Sequence, residues 1–188
     1  MTTAAPAHPA PAPEHGRDAG VHLVSADAAF LAGEVSVARA VGELLQVVRE
    51  SMQLEVVFVG KIAQGRRFFS YVSSSLAKPP IEHGASNALE ETICQRILDG
   101  RLPAWIPSVQ AIAEGQGLSA DHKALAAHIG VPVHLPDGRL YGMLCGFNLQ
   151  ANTTLDARDV KRLEIAATAA ARLLSQADGR EEGTETRR

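Results

Sequence analysis

The feature that most constrains the fold is a β-hairpin pattern at residues 129–150, whose sequence is IGVPVHLPDGRLYGMLCGFNLQ. Two apolar runs flank Pro136, Asp137 and Gly138. Proline fixes φ, aspartate can bond its own backbone and glycine accepts positive φ, so the trio favours a tight turn. In the second run, residues 140–149, apolar groups lie on both faces. This pattern predicts a central strand that is covered on two sides.

Two glycines interrupt one face of that second strand. Gly142 and Gly146 lie on the same side because successive side chains of a strand alternate between its faces. A strand glycine often marks a place where another backbone or a ligand comes close. We therefore expect a helix backbone or a ligand to lie against these positions.

Composition limits the classes of protein that the chain can belong to. With 188 residues, of which 46% are apolar, it can bury one good core. A net charge of −3 gives no electrostatic footprint for nucleic acid or an anionic membrane. The chain has no apolar run long enough to cross a bilayer and no secretory signal at its N-terminus, which favours a cytoplasmic protein. Cys94 and Cys145 fit reduced core thiols, with a disulfide as the alternative.

The two ends of the chain differ in composition from its middle. Residues 1–20 are rich in alanine and proline and poor in large apolar groups, which predicts a disordered leader. Residues 178–188 form a charged segment that we expect to be a disordered tail. A single folded domain is expected over residues 21–177.

The first half of that domain is expected to begin with a helix and a hairpin. Residues 34–52 carry one apolar stripe at steps of three and four, which predicts a helix. Residues 54–62 and 66–72 are rich in valine and aromatic groups and read as two strands. Arg66 and Arg67 open the second strand; a solvated pair is favoured there over an anion site.

The second half is expected to contain three more helices and an edge strand around the 129–150 hairpin. Residues 89–99 predict a helix capped by Asn87. Residues 102–107 predict a short strand that its prolines push to a sheet edge. Ser119 is expected to cap a further helix over residues 119–129. The last helix, over residues 156–177, starts at the cap Asp156 and stops at Gly179.

Two histidines fall on the predicted 119–129 helix. His122 and His128 lie six residues apart, so they do not share a helix face as an i, i+4 metal pair would. No third ligand is evident beside them. The sequence therefore predicts no metal site and no cofactor.

Two stretches resemble the motifs of the GAF domain family of regulatory and ligand-sensing modules. They are NALEETICQRILDGRLPAWIP at residues 87–107 and GVPVHLPDGRLYGMLCG at residues 130–146, and the resemblance covers about residues 35–174. It implies an α+β domain with a central antiparallel sheet in order 2-1-5-4-3. The outer helices would lie on one face and a ligand pocket on the other. The chain looks most like bacterial GAF domains that accompany cyclic-dinucleotide enzymes and histidine kinases.

The resemblance implies a sensory or regulatory module that binds a small organic ligand and signals through a separate partner protein. The ligand is expected between the sheet and the helices at residues 89–99 and 119–129. Aromatic and sulfur-bearing side chains with a few polar tips suit such a pocket. His128 would supply a hydrogen bond, and Trp105 is either a pocket wall or a core wedge. The candidate ligand-binding residues are Phe69, Tyr71, Trp105, His128, Met143 and Cys145.

Other readings of the same resemblance remain. One is a dimerisation scaffold without a ligand; a homodimer through the helices at residues 34–52 and 156–177 is expected for the sensory module as well. Another is a thiol-dependent free methionine sulfoxide reductase. Cys94 falls where one cysteine of those enzymes lies, but their catalytic position falls near Asp121, so no enzyme activity is predicted. A covalent bilin is also not predicted, because His122-Lys123 stands where phytochrome-like GAF domains carry Cys-His.

Overall fold

The computed structural model describes residues 32–150 and 155–185, with side chains placed over residues 37–150 and 155–177. The expected leader at residues 1–20 lies outside the described residues. The fold is α+β, as the sequence predicts. Its helices are α1 (Ala32–Ser51), α2 (Ile93–Leu98), α3 (Val109–Ile112), α4 (Ala120–Lys123) and α5 (Ala157–Glu185), with a 3₁₀ turn at Leu89–Glu91. Its strands are β1 (Val56–Ala63), β2 (Arg66–Ser74), β3 (Ser86–Ala88), β4 (Trp105–Ile106), β5 (Ala127–His134) and β6 (Leu140–Asn148).

The six strands form one antiparallel sheet in the order β3-β2-β1-β6-β5-β4. The predicted order 2-1-5-4-3 is confirmed, with the short strand β3 added at the β2 edge. Strand β6 pairs with both β1 and β5, and its residues from Gly142 to Asn148 are buried. The hairpin turn is also confirmed, since Gly138 has φ of 88° and donates its N–H to the carbonyl of Leu135.

One face of the sheet is covered by the two long helices. The apolar stripe of α1 packs on it through Val41, Leu45 and Val48, which are all buried. Helix α5 adds Leu163, Leu174 and a run of alanines that lets it lie close to α1 and β5. None of the helices in the described part of the chain is long and apolar enough to span a bilayer.

The opposite face is covered by short elements. The 3₁₀ turn and the helices α2, α3 and α4 have six residues or fewer each, and loops join them. They pack Ile93, Val109 and Leu118 against an aromatic group formed by Phe58, Phe69 and Phe147. We call this the short-helix face, and the other the long-helix face.

The predicted helix at 119–129 is wrong. Helix α4 ends at Lys123, and the chain is in strand β5 from Ala127 onwards. Three consecutive buried residues, Leu125, Ala126 and Ala127, carry the chain from the helix into the sheet. A short apolar run fits either a helix or a strand, and here pairing of β5 with β6 decides for the strand.

Helix ends were predicted with mixed success. Asp156 caps α5 as expected, because its Oδ1 accepts the N–H of Arg158 at 2.6 Å. Asn87 does not cap α2; Thr92 does, since its hydroxyl oxygen accepts the N–H of Gln95 at 3.2 Å. Gly179 does not end α5, so residues 178–185 of the expected tail belong to that helix.

The space beside each of the two strand glycines is taken by a nearby segment of the chain. A Cβ at Gly142 would come within 1.8 Å of the carbonyl oxygen of Gly60 on β1. A Cβ at Gly146 would come within 2.5 Å of the Leu54 side chain. The close approach predicted at these positions is therefore made by the neighbouring strand and by the turn before it.

Candidate functional site

A buried arginine is the least expected feature of the short-helix face. Arg67 is 4% exposed, whereas its neighbour Arg66 is exposed and bonds Ser86 at the sheet edge. The Arg67 guanidinium lies 4.6 Å from the ring centre of Phe69 and donates from Nε to Asn87 Oδ1 at 3.2 Å. Within residues 37–150 and 155–177, no carboxylate pairs with it. A buried cation without a carboxylate needs another source of negative charge.

That negative charge is available from a cysteine pair. Arg67 Nη1 lies 3.1 Å from Sγ of Cys94, and Cys94 Sγ lies 3.4 Å from Sγ of Cys145. The hydrogen bond from Cys145, helped by the Arg67 charge, lowers the pKa of Cys94 well below its usual value. Burial and the neighbouring Cys94 raise the pKa of Cys145. Of the two thiols, Cys94 is therefore the more acidic, and it is the one that lies against the Arg67 guanidinium.

His128 completes this cluster from strand β5. It is 2% exposed, and one of its ring nitrogens lies within 4.8 Å of both sulfurs. Its Nδ1 has no hydrogen-bond partner among the described residues. Gly130, two residues along the strand, leaves room for the group, because a Cβ there would lie 2.9 Å from Cys145 Sγ. We refer to Cys94, His128 and Cys145 as the thiol–imidazole cluster.

A second buried histidine lies near the cluster. His122 on α4 is 7% exposed, and its Nδ1 lies 2.7 Å from the Ser119 hydroxyl. Burial, with the nearby Arg67 charge, lowers the pKa of His122 to about 4. His122 is therefore neutral at physiological pH.

Another buried arginine fixes the cover of this face. Arg96 on α2 donates to the carbonyl oxygens of Glu90 and Thr92, at 2.9 and 2.7 Å, on its own segment. It also donates to those of Gln116 and Gly117, at 2.7 and 3.0 Å, in the loop before α4. Four carbonyl groups from two segments are thus held by one side chain, which ties α2 to the loop.

The structure divides the six predicted ligand-binding residues between the two faces. Phe69, His128, Met143 and Cys145 lie together on the short-helix face. Tyr71 and Trp105 pack against the cluster on the long-helix face, so the grouping of all six around one space is wrong. For Trp105 the reason is strand alternation: it pairs with Ile129 of the long-helix face, while its neighbour Ile106 points to the other. For Tyr71 the reason is a bulge in β2, because Val59 and Gly60 pair with Tyr71 and Phe69 and leave Ser70 as an extra residue that reverses the alternation.

Two surface depressions of the described part of the chain lie away from all six side chains. One lies where the end of α1 meets the start of α5, beside Gln53 and Arg162. The other lies between the end of β5 and α5, beside His134 and Arg172. On the short-helix face, the rings of Phe58 and Phe69 pack edge to face with their centres 5.0 Å apart, in the same buried cluster as Met143 and Cys145.

Arg67 and the contact between Cys94 and Cys145 were missed by sequence reasoning. The signal for Arg67 was the alternation of β2, which places residue 67 on the same face as Phe69 and residue 66 on the other. The prediction that both arginines are solvated holds for Arg66 and is wrong for Arg67. His128 was placed on a helix, which separated it from its partners, so the argument against a metal pair used the wrong backbone geometry.

Several solved structures, GAF domains among them, resemble this one at low identity. The GAF domain of the Acinetobacter phosphoenolpyruvate-protein phosphotransferase is 14% identical, with a TM-score of 0.58 over 80% of this chain and 97% of that one. GAF-B of DevS from Mycobacterium smegmatis is 13% identical, with a TM-score of 0.57 over 79% and 97%. A type II free methionine-R-sulfoxide reductase from Thermoplasma acidophilum is 14% identical, with a TM-score of 0.59 over 77% and 95%. No curated protein matches the chain in sequence.

These likenesses establish the fold, and a sequence profile establishes the family. The profile described as GAF domain matches residues 34–175, from the start of α1 to the end of the apolar stripe of α5. The matched region includes both faces of the sheet and the thiol–imidazole cluster. The chain belongs to the GAF domain family.

Proposed function

We propose that this GAF domain is a sensory module that binds a small organic ligand on the short-helix face and signals through a partner protein. The observation that supports this most is the difference between the faces. Charged and titratable groups such as Arg67, His122 and His128 are buried on one side, beneath a cover of short segments. Groups of this kind cost free energy to bury, and several of them together are typical of a functional site.

Ligand entry requires the cover to move. The short helices are joined by loops, and Arg96 ties α2 to the loop before α4. Segments of this kind open at a lower free-energy cost than long helices on a sheet. Displacement of α3 and α4 from the sheet would expose Phe69, Met143 and His128, and would give the partner a changed surface to recognise.

The test starts with native mass spectrometry of the chain purified from its own host, followed by a thermal-shift screen of the masses found. A bound compound should raise the melting temperature with increasing excess over its dissociation constant. In Phe69→Leu, on the short-helix face, the compound concentration needed for the same shift should rise at least ~10-fold. The reason is that a buried aromatic contact is worth about 1.5 kcal/mol or more. The matched control is Tyr71→Phe, two residues along the same strand on the other face, which should leave it unchanged. If no compound shifts either protein, the proposal fails.

A homodimer through α1 and α5 is a second proposal. Val47 on α1 is 62% exposed and Ile165 on α5 is 72% exposed, although both are large and apolar. Leu45 and Val48 on the same helix are buried in the core of the subunit, so they do not test such an interface. Sedimentation at micromolar concentration should show a dimer that Val47→Glu or Ile165→Glu weakens, while Leu140→Glu on the sheet does not. A monomer at all concentrations would contradict this.

We propose no methionine sulfoxide reductase activity. Cys94 and Cys145 are fully buried, and Asp121 stands at the position where the catalytic cysteine is expected. A reductase needs a thiolate that the substrate can reach. The assay is turnover of free methionine sulfoxide with a thiol donor; efficient turnover that Cys94→Ser abolishes would overturn the proposal.

A further inference from the structure

The thiol–imidazole cluster brings together three groups that bind metal ions. Its donor atoms lie within 4.8 Å of one another, and all three residues are buried. Two sulfurs bound to one ion at about 2.3 Å each can lie no more than ~4.6 Å apart, so the observed 3.4 Å between Cys94 and Cys145 fits a shared ion. The imidazole needs only a small inward movement to join them.

The donor chemistry selects a soft ion. Thiolates favour monovalent copper, zinc and iron–sulfur clusters, and imidazole suits copper and zinc. The group found in the described residues consists of these three donors, and a structural zinc site is almost always closed by four. Monovalent copper accepts two or three soft ligands, so the number of donors favours copper over zinc.

Charge balance favours the same ion. Two thiolates and one monovalent ion leave one negative charge, and the Arg67 guanidinium, whose Nη1 lies 3.1 Å from Cys94 Sγ, cancels it. A divalent ion would leave one positive charge in a site with no buried carboxylate beside Arg67. The Arg67 N–H can keep its bond to the sulfur after the metal binds, as outer-shell donors do.

A disulfide between the same cysteines fits less well. It would need the sulfurs to close from 3.4 Å to about 2.0 Å. Oxidation would also remove the negative charge that faces Arg67, so the guanidinium would be buried without an anion.

We propose that Cys94, His128 and Cys145 bind one monovalent copper ion, with Arg67 as the balancing charge. The cysteines enter as thiolates, and the protons that they release on binding pass to solvent. The site goes beyond the proposed ligand-sensing function and does not require it. It would make the short-helix face responsive to copper, because the ion would link α2 to strands β5 and β6.

The test uses the full chain and monovalent copper alone, under anaerobic reducing conditions, with a competing chelator that sets the free copper concentration. We expect one ion per chain, and X-ray absorption should report two sulfur neighbours and one nitrogen. Cys94→Ser, Cys145→Ser and His128→Gln should each weaken binding by at least ~100-fold, since even outer-shell losses cost 10–100-fold. His134→Gln, which changes an exposed histidine on the same strand as His128, should leave the affinity within a few-fold.

Several results would overturn the copper site. They are no copper bound to the wild-type chain, equal affinity in Cys94→Ser, a first shell of oxygen and nitrogen alone, or a preference for zinc at the same residues. A Cys94–Cys145 disulfide that survives the reducing conditions would also overturn it. Circular dichroism and unfolding midpoints of each variant separate lost binding from lost folding, and the absorption spectrum of the wild type needs no variant. Failure of the organic-ligand screen has no bearing on these results.

Discussion

The two faces of the central sheet are built on different principles. The long-helix face is covered by α1 and α5, and its buried cluster consists of aliphatic, alanine and methionine side chains with Tyr71 and Trp105 at its margin. The short-helix face is covered by segments of six residues or fewer, and it buries Arg67, His122, His128 and both cysteines. One sheet thus carries an apolar core on one side and a polar, sulfur-containing core on the other.

The difference indicates a division of roles between stability and chemistry. Apolar burial supplies stability in proportion to area and asks for no special partner. Buried polar groups supply little net stability but fix geometry and perturb pKa values. We expect substitutions on the long-helix face to change the free energy of unfolding at every pH. Substitutions on the short-helix face should act through proton binding, thiol reactivity and ligands.

The largest expected effect is on the long-helix face. Leu45 is fully buried, so Leu45→Ala should lower the free energy of unfolding by about 2–5 kcal/mol through lost apolar contact and the cavity that remains. Urea unfolding measures this. Leu140→Ala, at an exposed leucine outside the proposed dimer interface, is the matched control and should change little. Equal losses for the two variants would show that α1 is not docked as described.

The next effect depends on pH and belongs to the short-helix face. Since the pKa of His122 is lowered from 6.5 to about 4, the unfolded chain binds a proton that the folded chain does not as the pH falls between these values. His122 therefore contributes stability above pH 6.5 that is lost on acidification, by roughly 3 kcal/mol at pH 4. His122→Gln should flatten the decline of the free energy of unfolding over this range.

The control for that prediction is His134→Gln, because His134 is exposed at the end of β5. The free energy of unfolding of this variant should decline on acidification as it does in the wild-type chain. If His122→Gln keeps the full decline, His122 is not the group responsible.

A single added methyl group tests how tightly the thiol–imidazole cluster is packed. A Cβ at Gly130 would lie 2.9 Å from Cys145 Sγ and 3.1 Å from the His128 ring. Gly130→Ala should therefore push the sulfur away and cost about 1–3 kcal/mol, the usual range for overpacking. Urea unfolding gives the cost, and a neutral result would show that the cluster is looser than its distances indicate.

The smallest expected effect, and the most specific, is on the pKa of Cys94. The Cys145 hydrogen bond is the main cause of its lowered pKa, and the Arg67 charge adds to it. The titration of Cys94 can be followed by the ultraviolet absorbance of its thiolate form. Its midpoint should move to higher pH in Cys145→Ala and, by a smaller amount, in Arg67→Met. Arg66→Met is the matched control, because Arg66 is exposed and bonds Ser86. An equal shift in both arginine variants would remove Arg67 from the site.

The elements that sequence reasoning placed correctly are those whose signal is local. The β6 hairpin follows from the turn residues Pro136, Asp137 and Gly138, and α1 follows from an apolar stripe within 20 residues. The Asp156 cap depends on bonds to residues two and three positions ahead. The family resemblance supplied the sheet order. The change from helix to strand within residues 119–129 was missed, because short apolar runs fit a helix and a strand equally well.

By itself the sequence determined the long helices, the central hairpin and the α+β class, because each depends on contacts between residues near in the chain. Only the tertiary structure decided the candidate site. Arg67 lies 27 residues from Cys94, and Cys94 lies 51 residues from Cys145, yet their atoms meet within hydrogen-bonding distance. Strand pairing sets which side chains share a face, so Tyr71 and Trp105 went to one side of the sheet and His128 to the other. The apolar periodicity of one segment does not indicate which other segment will pack beside it.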